Sequence, residues 1–153
     1  MTTLESIYQK FGETAEAAQV LENEIGNILL AAAVHAENLI ERKNPARARV
    51  IVDRINRMTL GQLFRSMIFD EKVKATAEVR IQRALLERNR LSHSFFREHN
   101  LRRNSPEGRT KMLEDLLRMH KVMQEALELA FQISGTDLTE FETGHLPSHH
   151  LKI

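Results

Sequence analysis

Apolar residues near the start of the chain recur every three or four positions: Leu4, Tyr8, Phe11, Ala15, Ala18, Leu21, Ile25, Ile28, Ala32 and Leu39. A half-buried strand would alternate with period two, whereas this spacing keeps one stripe of a helix apolar. The pattern runs on to Asn44-Pro45, where proline turns its predecessor away from helical backbone. A straight helix of that length would extend about 60 Å, which is long for one domain. A bend or break is therefore expected near Gly12 or Gly26. At the start, Thr2 and Glu5 have the spacing of a capping box.

The same period returns further on. A shorter helix is expected over 46–57, with Val50, Ile51 and Ile55 inward. Thr59 can cap the next, whose apolar side is Leu60, Leu63, Phe64, Met67 and Ile68. Asp70 suits the N-cap of a long helix from Glu71 towards Phe96, and residues 102–105 read as a polar turn. Ser105-Pro106 supplies an N-cap with proline at the first helical position, and Gly135 is placed to end that last helix. Its inner face would carry Met112, Leu116, Met119, Met123, Leu127, Ala130 and Phe131. Beyond it, Thr136 to Ile153 shows no periodicity. With three prolines, six glycines and no strand-like run in 153 residues, the expected fold is all-α. It is an up-and-down bundle of four to five helices over 1–135, followed by an irregular tail over 136–153.

Several chemistries are excluded at this level. The chain has no cysteine, which removes disulfides, thiolate metal sites and cysteine nucleophiles. Met1 to Glu5 lacks a basic segment followed by an apolar run, and the longest apolar stretch, Ile28 to His35, is too short to span a bilayer. A cytoplasmic location without membrane association is expected. No glycine loop of the Walker or dinucleotide type is present, and no cofactor is expected. His145, His149 and His150 follow Glu142 in the tail, but no helix fixes their spacing, so a metal site is not expected. Single-strand binding through stacked rings is not expected either, with Tyr8 the one tyrosine and no tryptophan.

Net charge is +1, unevenly spread: −6 over residues 1–41, +5 over 42–79, +6 over 80–111 and −4 over the remainder. An acidic first helix can pair with basic later ones, and a basic middle can also present a phosphate-binding surface.

The helix after Asp70 holds an anomaly. Ile81, Ala84, Leu91 and Phe95 form a stripe at helical spacing, and Arg88 falls in its register; beside it, Leu85, Asn89 and Phe96 form a second row with His93 a turn beyond Asn89. Polar groups set into an apolar face cost free energy unless each finds a partner. Asn89 and His93, four apart, lie over one another, so the amide could orient the imidazole. Arg88 and His93, five apart, are separated by about 140° on an ideal helix. For both to act on one phosphate, the helix must end there or a second protomer must complete the site.

The stretch Glu87-Arg88-Asn89-Arg90-Leu91-Ser92-His93-Ser94-Phe95-Phe96 resembles the signature of HEPN domains, in which Arg, a directly following polar residue and a His several positions on lie late in a helix of a bundle. The resemblance implies a homodimer whose two motifs face one cleft, acting without metal on RNA. His93 would then handle the proton of the RNA 2′-hydroxyl or of the leaving oxygen, Arg88 would stabilise phosphate charge, and Asn89 would orient His93 or substrate. Arg90, Arg97, Arg102, Arg103, Arg109 and Lys111 could supply backbone contacts to RNA. Other proteins of that fold bind nucleotides or serve as inactive partners, so a non-catalytic dimeric module is the competing expectation, for instance the antitoxin-like half of a two-component bacterial system with a cognate protein partner. A purely structural alternative pairs Arg88 with an acid of the first helix, Glu22 or Glu24, and closes a buried network through Asn89 and His93. His99 is expected at an exposed helix end, and His35 and His120 at the edge of the core.

Overall fold

The computed structural model describes residues 2–66 and 71–134. Among them are six α-helices, one 3₁₀ turn and no strand: α1 (Leu4–Ala36), α2 (Pro45–Asn56), α3 (Leu60–Ser66), α4 (Glu71–His93), α5 (Phe95–Glu98), the 3₁₀ turn (Arg102–Asn104) and α6 (Pro106–Ser134). The helical class is as expected. The count exceeds four to five because the chain stops briefly at Ser94, which separates the four-residue α5 from α4.

Helix α1 is unbroken through both glycines and is about 50 Å long at 1.5 Å per residue. Gly12 has open space around it, and Gly26 lies against α2, where an added Cβ would touch Ile55 at 3.4 Å. Neither has cause to bend the helix. The capping box forms one residue later than expected, between Thr3 and Ser6. The helix also stops well before Pro45: Asn38 takes a left-handed φ of 52°, a conformation asparagine tolerates better than most residues. Asn44 then accepts from the Arg47 amide and Pro45 opens α2, so this proline starts a helix. Glu37 and Arg47 join the two helices through a two-pronged ion pair at 2.7 Å.

Three long helices carry the core. The start of α1 meets the start of α6 through Thr2, Thr110 and Arg109, so these two run parallel. Helix α4 and the short α5 after it run against both: Arg88 meets Glu22, the Phe95 ring of α5 lies 5.7 Å from that of Phe11, and Arg90 reaches Asp115. Ile7, Leu91, Phe95, Met112, Leu116 and Met119 fill one end of the bundle. Ala18, Leu21, Ile25, Ile81, Ala84, Met123 and Ala126 fill the other, closed over by Ile51 and Ile55 of α2 and Leu60 and Leu63 of α3. Thr59 and Gln62 cap α3 reciprocally. Val50, expected inward, is exposed, and so is His35. The expected apolar positions Met67 and Ile68, the cap Asp70, the stop at Gly135 and the tail histidines lie outside the described residues.

The turn into α6 is tight. Ser105 accepts from the Gly108 amide as the N-cap should. An added Cβ on Gly108 would fall 2.1 Å from the Arg102 carbonyl oxygen, so only glycine lets the 3₁₀ turn fold back on the helix.

Candidate functional site

Helix α4 runs unbroken through Arg88 and ends only at His93, so the two keep the separation of about 140° that an ideal helix gives residues five apart, and one chain does not bring them together. Arg88 emerges from the buried stripe with about a third of its side chain in water. Its Nη2 donates to Glu22 Oε2 on α1 at 3.4 Å, and its Nη1 donates to Asn89 Oδ1 at 3.1 Å. The pair with Glu22 is the structural alternative's bond to the first helix. The buried network through Asn89 and His93 is not formed, because both residues are exposed. They occupy the outer side of α4, with Leu91 on the inner side. His93 makes no hydrogen bond or ion pair among the described residues, and the Asn89 carbonyl faces Arg88 rather than the imidazole. Arg88 and Asn89 are thus brought together, while His93 stands free of side-chain partners among the described residues at the helix end.

A groove of about 290 Å³ opens beside Arg88 between α1 and α4, lined among others by Phe11, Gln19, Glu22, Leu91 and Ser92. A larger cavity of about 430 Å³ lies on the α2 side of Glu22, lined by Asn23, Asn27, Asn56 and apolar neighbours without a basic side chain. It does not suit a phosphate.

The buried polar network of this protein lies elsewhere, and the sequence did not point to it. Asp115 on α6, 8% exposed, accepts from Arg90, from Arg118 and from His99 Nε2 at 2.8 Å. His99 is 2% exposed rather than at an open helix end. Its Nδ1 faces Arg102 Nη1 at 3.1 Å. A guanidinium only donates, so Nδ1 accepts and the ring proton sits on Nε2, directed at Asp115. Arg90 also binds Glu98 at 2.7 Å and Glu87 at 3.0 Å. Burial pushes the Asp115 carboxyl up, but hydrogen bonds from Arg90 and His99 and the nearby charges of Arg90 and Arg118 outweigh it, leaving its pKa below the ordinary value. Hydrogen bonding to Asp115, ahead of Glu98 and Glu87, holds Arg90 firmly charged. Asp115 falls in the inward register of α6 between Met112 and Met119, which is the one signal by which it could have been found.

The expected phosphate contacts are therefore not equivalent. Arg90 has its donors engaged by carboxylates, and Arg102 is turned onto His99. Arg109 clamps the Thr2 and Arg103 carbonyls, fastening the start of α1 to the turn before α6. Arg97 touches only Ser94 and is exposed, and the exposed Arg103 has no side-chain bond among the described residues. On the far side of α6, His120 lies near Lys10 and Glu13, with Nδ1 buried and without a hydrogen-bond partner among the described residues. Among the described residues, no group of three or more His, Asp or Glu converges on a metal position, and no helix is long and apolar enough to cross a membrane.

Comparison with family models, with curated proteins and with solved structures returns no match. Class and site rest on the residues themselves: an all-helical chain with a polar Arg88–Asn89 pair and a free His93 at the end of one core helix.

Proposed function

We propose that this chain is a HEPN-like bundle that acts on RNA as a homodimer, cleaving without a metal through Arg88, Asn89 and His93. The observation that carries the reading is the exposed, unpartnered imidazole of His93 at the end of α4, five residues beyond an Arg88 guanidinium held at the rim of a groove, an offset that calls for the motif of a second copy. An imidazole so placed can take the proton of a 2′-hydroxyl as that oxygen attacks the adjoining phosphorus. The P–O5′ bond breaks, the 5′ oxygen receives a proton, and a 2′,3′-cyclic phosphate remains. Arg88 would neutralise the non-bridging oxygens, exchanging Glu22 for phosphate. The end of α4 presents carbonyls, so the attraction for an anion comes from the side chains rather than from the helix.

A second copy would supply a general acid for the leaving oxygen through its own His93. Val79, Leu86 and His93 are seven apart on the outer face of α4, and Val79 and Leu86 are 68% and 69% exposed. Packing this stripe on its counterpart would bury both and bring two His93 side chains towards one cleft. The same apolar stripe favours the second reading, a non-catalytic dimeric module. Incubation with structured RNA in excess chelator separates the two. Cleavage by wild type but not by Arg88→Ala or His93→Ala, leaving cyclic phosphate ends, supports the nuclease. Folded, dimeric protein without cleavage supports the module, and a monomer at micromolar concentration defeats both.

A further inference from the structure

We infer that the cleft between the start of α1 and the α5 region is a nucleotide-binding pocket, in which Tyr8 and Phe96 stack on a base and Arg103 takes the phosphate. The cleft encloses about 330 Å³ and is lined by Tyr8, Phe96, His99, Asn100, Arg103 and Met112. Two aromatic rings at its mouth are unusually open: Tyr8 is 50% exposed and Phe96 41%. Their centroids are 6.1 Å apart with planes tilted by 50°, so they form a tilted aromatic pair at the edge of the cleft, on whose open side a base can stack. Composition argued against ring stacking because the chain has one tyrosine and no tryptophan; the packing of α5 against the start of α1 sets Phe96 beside Tyr8.

The floor is rigid. Phe96 is backed by Phe11 at 4.9 Å and Phe95 at 5.1 Å, and His99 is fixed through both ring nitrogens, to Asp115 and Arg102. The rim is chemically free: the side chains of Asn100 and Arg103 and the Tyr8 hydroxyl form no hydrogen bond among the described residues. Two ring faces, one carboxamide and one guanidinium match a planar heterocycle bearing hydrogen-bonding edges and a phosphate. Stacking of a base on an aromatic side chain is tolerant of base identity, and the amide and guanidinium then read the edge and the anion. The source of the nucleotide, free or within an RNA strand, is not set by this chemistry. The choice of a strand rests on the RNA-directed reading above, with Phe96 three residues beyond His93; binding of the nucleotide itself does not.

The chain carries a built-in reporter, since Tyr8 is its only tyrosine and there is no tryptophan. Tyrosine fluorescence of the full chain, corrected for absorption by the ligand, is followed during titration with AMP, UMP, adenosine, ribose 5-phosphate and a short oligoribonucleotide. Saturable quenching by AMP or UMP but not by ribose 5-phosphate is expected. Arg103→Ala should weaken AMP without altering adenosine, and Phe96→Ala should weaken both by about tenfold or more, with circular dichroism confirming the fold. Because Phe96 also packs on Phe11, Asn100→Ala, on an exposed residue, serves as the second variant and should weaken AMP and adenosine alike. Tighter binding of the oligoribonucleotide than of AMP assigns the pocket to a strand, and equal binding assigns it to a free nucleotide. Absence of saturable quenching by every nucleotide, or equal quenching by ribose 5-phosphate, overturns the pocket. Loss of RNA cleavage with nucleotide binding intact would instead count against the nuclease alone.

Discussion

Replacing Asp115 with alanine is expected to destabilise the bundle by about 3 kcal/mol. Removing one partner of a buried ion pair costs about 3–5 kcal/mol, because the other charge is left uncompensated. The lower end applies here: Arg90 keeps Glu87 and Glu98, and a quarter of its side chain is in water. His99 has no such relief. At 2% exposure its Nε2 proton would lose its acceptor, which costs about 1–3 kcal/mol for a buried donor. In a domain of this size each kcal/mol moves Tm by about 2–4 °C, so a fall of about 6–12 °C is expected. Thermal and urea unfolding, followed by helical circular dichroism at pH 7, would measure it. Asp115→Asn keeps the shape and one acceptor for His99 and should recover about half of the loss. The pH dependence has a definite sign. A carboxyl with a depressed folded pKa contributes stability that is complete above its ordinary value, near 3.8, and is lost as pH falls through the lower folded value. The gap between wild type and Asp115→Asn should therefore close only below about pH 3.8. If both variants lose less than about 1 kcal/mol, the cluster is not a structural anchor and the reasoning fails.

His93→Ala should leave stability within about 0.5 kcal/mol of wild type, since the imidazole is exposed and unpartnered; a large drop in Tm would show that His93 is structural. Gly12→Ala and Gly108→Ala should act in opposite directions on urea midpoints. The first adds a methyl to open helix surface and should stabilise by about 0.5–1 kcal/mol, while the second drives Cβ into the Arg102 backbone and should cost about 2 kcal/mol or more. His120 has a pKa lowered first by burial and then by Lys10, with Glu13 opposing. The neutral ring is the form the fold accepts, so its contribution is intact above the ordinary histidine value near 6.5 and declines as pH falls below it. His120→Gln should flatten that part of the stability profile, and an unchanged profile would remove His120 as its source.

Much of the fold was legible from spacing. The three-four recurrence of apolar residues located α1, α2, α4 and α6, and hydroxyl and proline signals at Thr59 and Ser105-Pro106 located two helix starts. Local chemistry decided these because a helix's bonds and caps are made within a few residues. Pro45 was misread as a stop since a proline that forbids the preceding turn is equally suited to open the next. Register along one helix put Arg88 within the buried stripe, where it is half-buried and paired with Glu22, although register could not show which side of that stripe faces a neighbour. For this reason Asn89 and His93 were expected among apolar side chains and lie outside them.

What tertiary structure alone decided are the meetings between helices. Arg90 read as a phosphate ligand until α6 placed Asp115 against it, and His99 read as exposed until packing against Phe95, Asp115 and Arg102 buried it. Tyr8 read as an isolated ring until the packing of α5 against α1 set Phe96 beside it. The sequence by itself determined that this chain is helical and where its stripes lie, because propensity and periodicity are local. Which charges are paired, which histidine is buried and which rings face an opening depended on crossings between segments far apart in the chain, and no pattern of a single helix encodes them.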